Sequence, residues 1–321
     1  MRSLFVMDPL ASIDGRADST YAVMRECHQR GYPVAACEPR ALYARQGQAF
    51  AAVNEVEVLD QAPWFRVGEA TVVSLNTFDV VWMRKDPPFD MSYIFATYLL
   101  DMVAPPTLVL NDPKGLKLFN EKLWAMRFVD LHPPTLLSRE PARIAAFVKE
   151  QPGRSVIKPW DGNGGRGVLV TSGTDRNLNS MIELLTGGGQ ASVIAQPFLE
   201  RADEGDKRIM LFDGEPVGAM LRVPTAEDFR GNMHAGAKTV ATELTARDRE
   251  ICDRLGPELR AQGQLWVGID VIDGWLTEIN ITSPTGFHEL RALYGKRLES
   301  ELVDRVEAKV RNVKEISCVD R

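Results

Sequence analysis

A chain of 321 residues, 45% of them apolar and spread along its length, exceeds what one hydrophobic core usually fills and predicts two or three packed domains. The formal charge of −6 argues against nucleic-acid binding, which calls for a basic face. Four cysteines (Cys27, Cys37, Cys252, Cys318) and four histidines (His28, His132, His234, His288) show no zinc spacing, and no stretch reaches membrane-spanning length, so a cytoplasmic protein with reduced thiols and no membrane partner is expected.

Leu4-Phe5-Val6-Met7 reads as a buried strand stopped by Asp8-Pro9, and Asp18-Ser19 caps an apolar-periodic helix reaching Gly31. The pattern is weak between Arg45 and Asn76, where the alternation from Val53 to Leu59 suggests edge strands or a hairpin. Strands at Asp79-Val80-Val81-Trp82-Met83 and Thr107-Leu108-Val109-Leu110 end in the polar loops Arg84-Lys85-Asp86 and Asn111-Asp112, where open α/β sheets bind ligands. Beyond Pro133-Pro134, a boundary signal, come a short helix over 139–150, a strand at Ser155-Val156-Ile157-Lys158 and a helix over 175–185 ended by three glycines. The last third mixes strands over 208–212, 217–223, 266–272 and 275–280 with helices over 245–262 and 289–313. Pro257 is expected to kink or interrupt the first of these helices, and residues 314–321 to fray.

Three constellations carry chemistry. Lys158 precedes Asp161-Gly162-Asn163-Gly164-Gly165-Arg166-Gly167, and glycines without side chains let backbone N–H groups close on phosphate oxygens while the lysine adds positive charge. Because the lysine precedes the glycines and a strand follows them, this is no GxxxxGK[ST] loop; a plain Gly-rich hairpin is the alternative. Lys122 alone reads as a solvated helix lysine. Gln196-Pro197-Phe198-Leu199 reads as a linker offering backbone groups to an adenine edge, or as a hinge. Asp206 can accept a ribose hydroxyl, and Lys207 and Arg208 can meet phosphate, unless all three are surface charges.

The third constellation is a metal site. Glu278 and Asn280 are two apart on a strand and share a face, with Leu276 beside them and Thr277 and Ile279 pointing away. A two-residue turn at Asp273-Gly274 pairs 269 with 278 and turns Asp270 to the opposite face, so a bulged or three-residue connection is required for Asp270 to join them. Such oxygen ligands suit Mg²⁺, with Mn²⁺ as an alternative; an exposed acidic hairpin is the competing reading.

Val6-Met7-Asp8-Pro9, Met83-Arg84-Lys85-Asp86-Pro87-Pro88-Phe89-Asp90, Asn120-Glu121-Lys122-Leu123, Lys158-Pro159 with its glycine loop, Gly205-Asp206-Lys207-Arg208, Asp213-Gly214-Glu215-Pro216 and Leu276-Thr277-Glu278-Ile279-Asn280-Ile281-Thr282-Ser283-Pro284-Thr285 together resemble the ATP-grasp superfamily and, more narrowly, bacterial glutathione synthetases. The resemblance implies an α/β (α+β) ATP-grasp fold. Residues 1–120 would form an N-terminal open parallel α/β sheet domain, 121–200 a lid with the glycine loop, and 201–321 a C-terminal metal-bearing domain. It implies that Lys122, Lys158, Asp161, Gly162, Asn163, Gly164 and Gly165 serve ATP phosphates, that 196–199 hold adenine, that Asp206 meets ribose, and that Asp270, Glu278 and Asn280 bind magnesium. It further implies a dimer or tetramer of identical chains.

By the same likeness the γ-glutamylcysteine carboxylate attacks the γ-phosphate of ATP, and glycine displaces phosphate from the acyl phosphate. Lys158, Arg208 and Arg222 act on the developing charge. Arg84, Ser283, Pro284 and Thr285 are candidates for the peptide site, with an Arg84 salt bridge to Asp86 or Asp90 as the alternative. Residues 225–238 have the composition of a closing loop, although Ala237 and Lys238 stand where the family commonly has glycine and arginine. Rival readings are another carboxylate–amine ligase and a non-catalytic ATP-binding module of synapsin type; the complete metal set counts against the latter.

Overall fold

The computed structural model describes residues 1–162, 164–225 and 237–319. Its first sheet contains β1 (Ser3–Met7), β2 (Val34–Cys37), β3 (Leu42–Arg45), β4 (Gln48–Val58), β5 (Phe65–Ser74), β6 (Val80–Arg84) and β7 (Leu108–Leu110). The centre, β2-β1-β6-β7, is parallel, and β3, β4 and β5 add an antiparallel flank. Helix α1 (Ser19–Gln29), capped by Asp18 as expected, covers Phe5, Met7 and Trp82 with Val23, Met24 and Cys27. Helix α2 (Met91–Leu100) covers Leu4, Val6, Val81 and Met83 on the other face. Burial on both faces explains why β1 and β6 read as unbroken apolar runs. The weakly patterned stretch after Arg45 folds largely as the β4–β5 hairpin, whose outer strand is mostly exposed. Two short helices follow the sheet, α3 (Pro113–Leu118) and α4 (Glu121–Ala125).

The second sheet is antiparallel, with β8 (Leu136–Ser138), β9 (Arg154–Pro159), β10 (Leu169–Ser172) and β11 (Val193–Pro197) in the order β10-β9-β11-β8. Helices α5 (Pro141–Glu150) and α6 (Leu178–Thr186) cover one face, packing Ile144, Val148 and Ile182 on Ile157, Val193 and Ala195. Strand alternation leaves Val156, Lys158 and Gln196 for the other. Gln196 and Pro197, expected in a linker, are the last residues of β11, because Val156 and Ser155 of β9 give them partners.

The third sheet has β12 (Asp206–Phe212), β13 (Glu215–Val223), β14 (Lys238–Ala241), β15 (Trp266–Ile272) and β16 (Trp275–Asn280) in the order β14-β13-β12-β15-β16. The chain closes with α7 (Ala246–Ala261), α8 (Phe287–Tyr294) and α9 (Leu298–Val319). Pro257 does not break α7: the preceding residue is Gly256, which lacks the Cβ that a proline ring crowds. The single helix expected over 289–313 is two, separated at Gly295 in the left-handed region. Of the residues expected to fray, 314–319 instead extend α9 to Val319, since Leu302, Val303, Val306 and Val310 dock in the α1 core and Lys314 pairs with Asp79; 320 and 321 lie outside the described residues.

Candidate active site

A cleft of about 580 Å³ opens between the second and third sheets and reaches the polar end of β6. Its floor is one face of the third sheet. Lateral pairing sets Asp206 opposite Arg222, Arg208 opposite Asp270, and Asp270 opposite Glu278. The last pairing needs a bulge. Asp273 and Gly274, with φ of 51° and 74°, make a two-residue turn that alone sets Asp270 against Thr277. The ladder shifts between Asp270 and Val271, Thr277 becomes the extra residue, and Asp270 meets Glu278 as the register argument required.

That shift also corrects two expectations. Leu276, placed beside the ligands, lies opposite Val271 and is fully buried in the core with Ile279. Thr277, expected to point away, lines the cleft and donates to the Asp270 carbonyl at 3.1 Å. Lys207, adjacent to Arg208, alternates to the far face and donates to Asp248 Oδ2 at 2.6 Å, so it makes no approach to the cleft.

The floor's charges neutralise one another. Arg208 Nε and Nη2 grip Asp270 Oδ1 and Oδ2 at 2.6 and 3.1 Å, and Arg222 Nη2 reaches Oδ1 at 3.0 Å while also pairing with Asp206. Burial pushes the Asp270 carboxyl up, but the two guanidiniums outweigh it and hold it well below the usual range. Burial raises Asp206 to about 7, with the Asp270 charge adding to the shift and Arg222 opposing it. Asp206 Oδ1 and Arg222 Nε are buried without a partner among the described residues.

Two lysines enter from different elements. Asn120 caps α4 by accepting the Lys122 and Leu123 N–H groups, and the segment is fixed to β16 where the Leu276 N–H donates to Leu131 O at 2.8 Å. Lys122 is therefore buried, not solvated. Its Nζ donates to Glu121 Oε1 at 2.6 Å and Gly162 O at 2.6 Å, and lies 3.3 Å from Glu278 Oε1. Burial opposes the Lys122 charge, yet Glu278 and Glu121 keep its pKa above the ordinary value. Glu121, not singled out in the sequence, also lines the cleft, and burial and Glu278 raise its carboxyl. The Lys158 side chain projects from β9 with no hydrogen bond or ion pair among the described residues, and burial lowers its pKa.

Gly162, Gly164 and Gly165 line the cleft, and φ of 60° and 71° at the latter two explains the glycine requirement. Asp161 is exposed and outside the lining, whereas Asn163 and residues 226–236 of the expected closing loop lie outside the described residues. Gln196, Pro197, Phe198 and Leu199 all line the cleft. Gln196 Nε2 donates to Thr135 Oγ1 at 2.8 Å and lies 3.4 Å from His132 Nε2. His132 Nδ1 donates to Pro133 O at 2.9 Å, and burial lowers the imidazole to about 4, leaving it neutral. Nothing local in the sequence marks His132 or Thr135 as supports for Gln196.

Arg84 ends β6 and is buried without an ion pair to Asp86 or Asp90. Its guanidinium stacks 3.6 Å over Trp266, Nε donates to Thr20 Oγ1 at 3.0 Å, and Nη2 donates to Pro284 O at 3.0 Å. Burial lowers its pKa to about 10, so it stays charged at neutral pH. Arg84 thus stands behind the cleft wall and holds the Ser283-Pro284-Thr285 turn, which lines it. Ser283 Oγ donates to Asp86 Oδ1, and Arg208 Nη1 donates to Thr285 O at 3.3 Å.

Asp270, Glu278 and Asn280 lie on one face, with Asn280 Nδ2 3.2 Å from Asp270 Oδ2. Two carboxylates and a carboxamide form a hard-oxygen set that fits a small divalent cation completed by water and phosphate.

Two sheets enclosing glycines, two buried lysines and an acid-lined floor define an ATP-grasp enzyme, a class that uses ATP with a divalent cation. The fold matches the ATP-grasp ligase PsnB complexed with minimal precursor (TM-score 0.61, 19% identity, 96% of this chain and 99% of that one). It also matches the D-cycloserine synthetase DcsG (TM-score 0.64, 14% identity, 95% and 99%). In sequence, the prokaryotic glutathione synthetase N-terminal domain matches residues 1–117 and the prokaryotic glutathione synthetase ATP-grasp domain residues 121–295. Glutathione synthetase of Thermosynechococcus vestitus is 46% identical over 93% of this chain and 97% of its own length, and that of Agrobacterium fabrum 45% over 94% and 95%. The chain belongs to the prokaryotic glutathione synthetase family. Among the described residues, no helix is long and apolar enough to cross a membrane.

Proposed function

We propose that this chain joins γ-glutamylcysteine to glycine while converting ATP to ADP and phosphate, the reaction of a glutathione synthetase. The observation that carries this reading is the meeting of Lys122, Lys158, Arg208 and Arg222 with Asp270, Glu278 and Asn280 in one cleft of an ATP-grasp chain of this family. Lys158, Lys122 and the glycine loop take the phosphates, residues 196–199 the adenine edge, and the unpartnered Asp206 Oδ1 a ribose hydroxyl.

The cysteinyl carboxylate oxygen bonds to the γ-phosphorus, and the bond from that phosphorus to the β,γ-bridging oxygen breaks, releasing ADP. Lys158 and Arg208 offset charge on the transferred group. Glycine's neutral amine then bonds to the acyl carbon, the carbon–oxygen bond to phosphate breaks, and the surplus ammonium proton passes to phosphate or water. Arg208 and Arg222 stabilise the tetrahedral oxyanion between these events. Asp270, Glu278 and Asn280 would hold Mg²⁺, or Mn²⁺, which when bound neutralises phosphate charge. Arg84 serves the peptide site by holding the Ser283-Pro284-Thr285 turn. The reading includes a cytoplasmic homodimer or homotetramer.

Purified protein is expected to release ADP and phosphate only with both γ-glutamylcysteine and glycine present, and mass spectrometry is expected to find glutathione. ATP turnover that neither substrate stimulates defeats the assignment.

A further inference from the structure

Most lining carboxylates of the cleft already have a cation: Asp270 has Arg208 and Arg222, Asp206 has Arg222, and Glu121 and Glu278 share Lys122. Asp86 differs. Its Oδ1 accepts the Ser283 hydroxyl, and no cation pairs with its carboxylate among the described residues. The neighbouring cations are engaged elsewhere. Lys85 Nζ lies 2.9 Å from Asp8 Oδ1 and donates to the Asp86 backbone carbonyl at 2.6 Å, and Arg84 turns inward to Thr20 and Pro284.

We propose that Asp86 is a specificity-determining residue that binds the α-ammonium group of the peptide donor, an inference that rests on the ligase reading above. Asp86 follows β6 at the sheet end where open α/β folds bind ligands, and its N–H donates to Asp8 Oδ2 at 2.9 Å, which fixes the loop. The Ser283-Pro284-Thr285 turn connects this carboxylate, through Ser283, to Arg208, through Thr285 O. A donor laid along the turn puts its ammonium at Asp86 and its reacting carboxylate beside the arginine that meets the phosphoryl group. The acceptor amine does not suit Asp86, because it must be neutral to attack and a carboxylate partner favours its protonated form.

Steady-state kinetics with γ-glutamylcysteine and its desamino analogue, glutaryl-cysteine, test the assignment in the wild-type protein and in Asp86→Asn. A hydrogen bond to a charged group predicts a KM about tenfold or more higher for the analogue in the wild type. Asp86→Asn is expected to raise the KM for γ-glutamylcysteine by a similar factor, leave the KM for ATP and for glycine within about twofold, and erase the preference between the two peptides. Ser283→Ala is expected to move the same KM by a smaller factor. An Asp86→Asn enzyme that keeps the wild-type preference, or a KM rise confined to glycine, overturns the inference. So do equal KM values for the two peptides in the wild type, a comparison that needs no variant to fold. A wild-type protein with no turnover on either peptide overturns the ligase reading itself, a separate failure.

Discussion

The two sheets that enclose the cleft treat buried charge in opposite ways. On the floor, Arg208, Arg222, Asp206 and Asp270 neutralise one another across neighbouring strands, and Lys122 bridges Glu121 and Glu278, offsetting one of their two charges. On the second sheet, Lys158 stands on a half-buried strand with no partner among the described residues. The floor is therefore organised before any ligand arrives, whereas the second sheet carries a charge with no direct partner, which an incoming anion can supply.

Glu278→Gln removes one carboxylate from the organised side and is expected to lower kcat by about a thousandfold, with a higher metal concentration for half-maximal rate and an unchanged circular dichroism spectrum. Unchanged turnover takes Glu278 out of the site. The sharpest test sets the two lysines against each other in ligand-free urea unfolding. Lys122→Met strands two carboxylates and is expected to lose about 3 kcal/mol of stability, whereas Lys158→Met removes an unpartnered charge and is expected to gain about 1 kcal/mol. Changes of the same sign break the comparison.

His132, behind Gln196, gives an effect confined to acid pH. Its folded pKa is depressed to about 4 from 6.5, so its contribution is present above pH 6.5 and is lost as pH falls toward 4, when the unfolded chain takes the proton first. The loss is about 3 kcal/mol. His132→Gln is expected to flatten the pH dependence of unfolding in that window; an unaltered slope removes His132 as its source.

The shared face of Glu278 and Asn280 was legible because a period of two is stiff, and Asp270 can join it only through an irregular ladder. Which residue absorbs the irregularity was not legible, and with Thr277 as the bulge Leu276 moved to the core. Gly295 was a readable helix stop, obscured by apolar spacing that continues beyond it, and Gly256 rescued a helix that Pro257 alone argues against. Glu121, His132 and Thr135 escaped notice because their roles come from contacts such as Glu121 with Lys122 against Glu278, or Gln196 with Thr135 across 61 positions. Arg84 was legible as special, but its stack on Trp266 and its hold on Pro284 depend on how distant segments fold together.

Helix α9, the last element, packs on α1, one of the first: Arg30 donates to Asp304, Glu307 and Ser300, and Val306 and Val310 lie in the core of Val23 and Cys27. During synthesis the first sheet therefore has part of one side bare until residues 298–319 have been made. A nascent chain stalled before residue 298 would present that bare side to chaperones or to other unfinished chains.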